Sequence, residues 1–138
     1  MQRRRFLAAT AAAAVAPAFA QGGYPSRPIR LVVPFPPGGG TDATSRLIAE
    51  KLTTALGWTI VIDNKPGAGG NLGLDAVAKS APDGYTVGMG QAANLAINPA
   101  LYAKMPFDPL KDLAPIVSVS DQPVVLVVRP DSPFFVTT

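Results

Sequence analysis

Near-continuous apolar runs alternate along this chain with stretches whose apolar residues recur at helical spacing, and glycine- or proline-rich loops separate them. Residues 29–35, Ile29-Arg30-Leu31-Val32-Val33-Pro34-Phe35, read as a strand buried on both faces, with Pro34 marking its C-terminal end. From Thr41 or Asp42, either of which is a helix-capping type, Leu47, Ile48, Leu52 and Leu56 fall on one helical face until Gly57 stops the helix. The unit then repeats. Residues 58–62 read as the second strand, Gly67 to Gly70 as its loop, and Leu74, Val77, Ala78 and Ala81 as the buried side of a second helix. Pro82-Asp83-Gly84 makes a turn into a third strand over 85–89. Such alternation predicts an α/β fold: a mostly parallel, doubly wound sheet with right-handed crossovers and its ligand at the carboxyl ends of the strands.

Beyond Gly90 the pattern loosens. A short helix is expected over 99–103, a proline-punctuated stretch over 105–113, and two further strands over 116–119 and 124–128. The sequence stops at Thr138 before any helix covers the last of these, so the domain is expected to be incomplete at its C-terminus.

Two loops carry the chemistry. Pro34-Phe35-Pro36-Pro37-Gly38-Gly39-Gly40-Thr41-Asp42 and Lys65-Pro66-Gly67-Ala68-Gly69-Gly70-Asn71 each lie between a strand and a helix. There the first N–H groups of the helix lack partners and its dipole favours a carboxylate or phosphate. One such loop is weak evidence, since glycine punctuates turns generally, but the repetition at equivalent positions points to an anion site. A dinucleotide site does not fit: Gly67-x-Gly69-x-x-x-Gly73 follows the second strand, and no acidic residue stands where a ribose would need it. Gly38-Gly39-Gly40-Thr41 lacks the lysine of a phosphate-binding P-loop. Asp42 is either a helix cap or a group that fixes the loop or meets a ligand hydroxyl or ammonium. Gln91 and Asn94, just past the third strand, offer side-chain amides to the same cleft, or serve only their own loop. Tyr85 and Trp58 read as core or strand-end aromatics.

The net charge reads differently once the N-terminus is set apart. Arg3, Arg4 and Arg5, then Phe6-Leu7, an apolar stretch over 8–16 and Ala18-Phe19-Ala20 form an export signal over residues 1–20, similar to the twin-arginine type; the alternative is an uncleaved membrane anchor. Of the 12 Lys and Arg three lie in this leader while all 9 Asp and Glu follow it, so residues 21–138 carry no net charge. No basic patch remains for nucleic acid. The absence of cysteine and histidine excludes thiolate catalysis, a histidine triad and Cys- or His-based metal sites. No catalytic constellation, metal site or cofactor motif stands out, and an enzyme is the minority reading.

The motifs taken together resemble those of the Bug/TctC family, the periplasmic solute-binding proteins of tripartite tricarboxylate transporters. They are Tyr24-Pro25-Ser26-Arg27-Pro28-Ile29-Arg30, the first loop through Asp42, Asp63-Asn64-Lys65-Pro66-Gly67-Ala68-Gly69-Gly70-Asn71, Pro82-Asp83-Gly84-Tyr85-Thr86 and Asn98-Pro99-x-Leu101-Tyr102. The resemblance implies a type II-like periplasmic binding protein lobe over 21–138, with the second lobe missing, since members run to about twice this length in keeping with two domains. It implies that Phe35, Gly38, Gly39, Thr41 and Asp42 of one loop and Gly67, Ala68, Gly69 and Gly70 of the other grip a small organic acid: a di- or tricarboxylate, amino acid or aromatic acid. Membrane permease subunits are the implied partners, with no catalysis and no cofactor. Two alternatives stay open: a small exported enzyme acting on a phosphorylated substrate, and a nonfunctional truncated remnant.

Overall fold

A computed structural model describes residues 23–121, 127 and 129. Strand β1 (Ile29–Val33) is its centre, because Leu31, Val32 and Val33 are all buried. Neighbouring strand residues point to opposite faces, so burial of both parities means that both faces of the sheet are covered. β1 pairs in parallel with β2 (Ile60–Asn64) on one side and β3 (Thr86–Gly88) on the other, giving the order β2-β1-β3. The register sets Val33 against Asn64 and Val32 against Gly88, so the three strands end together.

Helix α1 (Gly40–Leu56) returns the chain from β1 to β2, and α2 (Asn71–Ala78) from β2 to β3. The cap of α1 is Gly39 in extended conformation, which places Thr41 and Asp42 inside the first turn rather than at the cap. Gly57, at φ 70°, closes the other end by donating its N–H to Thr53 O. The buried stripe of α1 is Asp42, Ser45 and Ala49 flanked by half-buried Ile48 and Leu52, whereas Leu47 and Leu56 are exposed. Small residues are what let the helix settle close to the sheet. In α2 the buried residues are Asn71, Gly73 and Leu74, with Val77 and Ala78 half-buried, and the expected Ala81 lies exposed past its end. Gly73 is required by contact: a Cβ there would lie 2.7 Å from Pro34 Cβ and 2.9 Å from Lys65 O.

After β3 a single π-helical turn (Ala93–Ile97) runs into α3 (Asn98–Leu101), one residue earlier than the helix expected at 99. Phe107 in the proline-punctuated stretch is buried. The strand expected over 116–119 does not form: these residues are irregular, and Ile116 and Val117 are 77% and 74% exposed, with no neighbouring strand among the described residues to pair with. The leader over 1–20 and, apart from Val127, the strand expected over 124–128 lie outside the described residues. No helix among the described residues is long and apolar enough to cross a membrane.

At the amino ends of the strands two sequence motifs clasp each other. Tyr24 Oη donates to Gly84 O at 2.8 Å, Ser26 N–H to Tyr85 Oη at 2.8 Å, and Arg27 pairs with Asp83 at 2.7 Å while lying 4.3 Å over the Tyr85 ring. Trp58 meets Tyr24 edge-on, so Trp58 and Tyr85 are strand-end aromatics. This clasp fixes the strand ends remote from the glycine loops.

Candidate functional site

The first loop is held by a carboxylate. Asp42, 3% exposed, accepts hydrogen bonds at Oδ2 from Gly38 N–H and Arg46 Nε, both at 2.9 Å, and at Oδ1 from Asn64 Nδ2 at 2.9 Å. Asn64 Nδ2 also donates to Phe35 O at 3.1 Å. The Arg46 guanidinium first, then the Gly38 and Asn64 donors, hold the Asp42 carboxyl well below the usual carboxylate range, and Asp42 raises Arg46 in return. Asp42 thus fixes the loop from inside the first turn of α1. Its charge beside the helix N-terminus is neutralised by Arg46, which leaves the positive end of the helix able to attract a second anion.

The second loop turns through left-handed backbone. Gly67, Ala68, Gly69 and Gly70 have φ of 136°, 49°, 64° and 91°, a run in which alanine is the strained member. A single turn of 3₁₀ helix (Ala68–Gly70) results, and the Gly70 and Leu72 N–H groups both reach Gly67 O. Buried asparagines support it from below. Asn98 Nδ2 donates to Asn71 Oδ1 at 2.8 Å and to Gly69 O at 3.3 Å, and Asn71 Nδ2 contacts Met105 Sδ at 3.2 Å.

The loops lie side by side. A Cβ built on Gly70 would sit 3.3 Å from Phe35 Cζ and would collide with Asn94 Nδ2. The segment after β3 joins both: Gln91 Nε2 donates to Thr41 Oγ1, while Gln91 N–H donates to Asn94 Oδ1 at 2.8 Å. Phe35, Thr41, Gly70, Gln91 and Asn94 are thereby brought together at the carboxyl ends of the three strands. β1 connects toward β2 on one side while β3 lies on the other, and the crevice at such a reversal is where open α/β sheets bind ligands.

Some of the expected donors are already used. Gly38 N–H serves Asp42 and Gly70 N–H serves Gly67 O. Among the described residues, the N–H groups of Gly40, Thr41 and Asp42 in one loop and of Ala68 and Gly69 in the other have no protein acceptor. Two cations of these loops and of α1 are engaged: Arg46 with Asp42, and Lys65 with Asp63 at 3.9 Å. No group of three or more His, Cys, Asp or Glu suited to a metal occurs among the described residues. A cleft of about 210 Å³ lined by Pro25, Arg27, Pro28, Trp58 and Thr59 lies at the amino ends of the strands, away from this chemistry. Arg46, Asn64, Asn71 and Asn98 were not expected to matter individually. Their only trace in the sequence is that the three asparagines fall inside the resembling motifs.

The model of the tripartite tricarboxylate transporter family receptor, TctC, matches residues 44–138. Protein BugT of Bordetella pertussis is 48% identical over 108 residues, which cover 78% of this chain and 33% of that protein. Among solved structures, the periplasmic binding protein BugD is similar at a TM-score of 0.61 and 42% identity, over 64% of this chain and 29% of that one. MatC of Rhodopseudomonas palustris with bound malate also gives 0.61 and 42%, over 64% of this chain and 30% of that one. This chain spans about a third of the length of such relatives, and its parallel sheet is part of the periplasmic binding protein fold. By the match over most of its length, the chain belongs to the TctC family, the receptors of tripartite tricarboxylate transporters.

Proposed function

We propose that residues 21–138 are the amino-terminal lobe of an extracytoplasmic solute-binding receptor for a small organic acid, exported to the periplasm through the leader over 1–20. The observation that carries this is the set of backbone N–H groups without protein acceptors among the described residues on two adjacent loops, at Gly40, Thr41, Asp42, Ala68 and Gly69. Neutral donors at a helix start hold a carboxylate firmly without burying a counter-charge, and a transport receptor must also release it. MatC, similar over this lobe, is described with malate bound, which supports a carboxylate here. Thr41 contributes its hydroxyl, oriented by Gln91, and Phe35 an apolar wall. The loops remain fixed while the rest of the receptor frames the other side of the acid and selects it, and permease subunits accept it in the membrane. No catalytic role is assigned.

Heteronuclear NMR of the full chain during titration with malate, adipate and inorganic phosphate tests this. Concerted, saturable shifts of the Gly40, Thr41 and Gly69 amides with the dicarboxylates are expected. No shift with any carboxylate overturns the reading. Tighter response to phosphate than to either acid favours an enzyme or receptor for phosphorylated compounds.

A further inference from the structure

Of the three methionines in this chain, Met1 lies in the leader, Met89 follows β3, and Met105 sits in irregular backbone beyond α3. Met105 Sδ accepts a hydrogen bond from Asn71 Nδ2 at 3.2 Å. Asn71 is 3% exposed, so a buried amide depends on a thioether, which is a weak acceptor. The other end of that amide is engaged as well: Asn71 Oδ1 accepts from Asn98 Nδ2 at 2.8 Å, and the same nitrogen reaches Gly69 O at 3.3 Å. Met105, Asn71, Asn98 and Gly69 thus form one contiguous run of polar contacts that ends on the left-handed backbone of the second loop. Its far end is open to chemistry, because Met105 is half-buried between exposed Lys104 and Pro106 whereas Asn71 and Asn98 are buried.

We propose that Met105 is an oxidation site coupled to the second loop, its thioether being converted to the sulfoxide by a peroxide. The Sδ lone pair attacks one oxygen of hydrogen peroxide; an S–O bond forms as the O–O bond breaks, sulfur gives up two electrons, and the second oxygen leaves as water with both protons. Neither placement of the new oxygen keeps the present contact. Toward Asn71, a hydrogen bond of about 2.9 Å to the oxygen together with the S–O bond needs more than the 3.2 Å now separating Sδ from Nδ2. Phe107, buried two residues on, limits how far the segment can draw back, so Asn71 is displaced. Away from Asn71, the electron-poor sulfur no longer accepts, and a buried N–H is left without its partner. In both cases the change passes through Asn98 to the carbonyl of Gly69. The coupling goes beyond the function proposed above and does not depend on it.

Hydrogen peroxide added to the full chain without ligand tests this, with free methionine as internal standard, peptide mass mapping to locate the oxygen, and NMR of the Asn71 and Asn98 side-chain amides and the Gly69 N–H. Met105 is expected to gain one oxygen at a rate no more than about tenfold below that of free methionine, with the three signals moving in step with the conversion. A slower rate removes the site and overturns the inference. Methionine sulfoxide reductases of both epimer specificities should return Met105 and the three signals together. Conversion of Met105 with the signals unmoved, or signals still displaced after Met105 is reduced, overturns the coupling. Met105→Leu keeps the apolar volume without the sulfur, so its signals should ignore peroxide, while Met89→Leu should respond like the wild type. A folded Met105→Leu chain whose Asn98 and Gly69 signals still move with peroxide overturns the inference. Where that variant does not fold, the conversion and reduction of the wild type decide by themselves.

Discussion

Asn64 Nδ2 donates to Asp42 Oδ1 at 2.9 Å, tying the last residue of β2 to the first turn of α1 across 22 positions of sequence. The same nitrogen reaches Phe35 O at 3.1 Å, so one amide sets the height of the first loop above the sheet. Asn64→Ala removes both bonds and leaves two acceptors short of a donor, one of them on a buried carboxylate. A loss of about 1–3 kcal/mol is expected by urea unfolding. A loss no greater than that of an exposed control such as Lys51→Ala would show that the amide does not hold the loop.

Asp42 sets the acid limit of the loop. Its folded carboxyl titrates below the ordinary 3.8, held down by Arg46, Gly38 and Asn64. The unfolded chain therefore binds the proton first. The stability that Asp42 contributes is complete above about pH 4 and declines as the pH falls toward the folded value. Asp108, lowered chiefly by its hydrogen bond with Lys111, acts in the same direction, so the wild-type curve alone does not isolate Asp42. The difference between wild type and Asp42→Asn does: the melting temperatures should lie far apart at neutral pH and converge as the medium becomes strongly acidic. A gap that stays constant down to low pH refutes the role given to Asp42.

Gly73 and Pro34 illustrate a second kind of constraint. With Pro34 Cβ at 2.7 Å and Lys65 O at 2.9 Å from the Cβ position, Gly73→Ala forces α2 away from the end of β1. Overpacking of this kind costs about 1–3 kcal/mol. Because the displaced helix carries the second loop, weaker carboxylate binding should accompany the lower stability in the same variant, by denaturation and NMR titration.

β1 was legible because a strand buried on both faces leaves an unbroken apolar run, and Pro34 ends it. β2 was displaced by two residues: its start at Ile60 and end at Asn64 follow from pairing with β1, while the polar Asp63-Asn64 reads locally as loop. The face of α1 was misjudged because apolar spacing favours Leu47 and Leu56, whereas contact with the sheet selects Ser45 and Ala49 for their size. The glycine loops were visible as letters, but which amides stay open was not, since Gly38 and Gly70 are satisfied by partners that only the folded geometry supplies. The asparagine network joins residues 22 to 34 positions apart and leaves no periodic signal.

Gly39 separates folding from function most cleanly. Its φ of −79° is open to any residue, and a Cβ there would meet nothing nearer than Pro36 O at 3.7 Å. The fold therefore does not require glycine at this position. Alanine restricts the unfolded chain, a gain of about 0.4–1 kcal/mol, but is a poorer helix cap than glycine, a loss of similar size. The expected net change in stability for Gly39→Ala is within about 0.5 kcal/mol of zero by urea unfolding. If the loop receives a ligand group against its backbone, the added methyl stands at the entrance to the first turn of α1, beside the open Gly40 and Thr41 amides, and carboxylate binding falls by roughly tenfold or more while stability holds. A variant that is as stable as the wild type and binds malate equally well would show that this face of the loop is not where the acid sits.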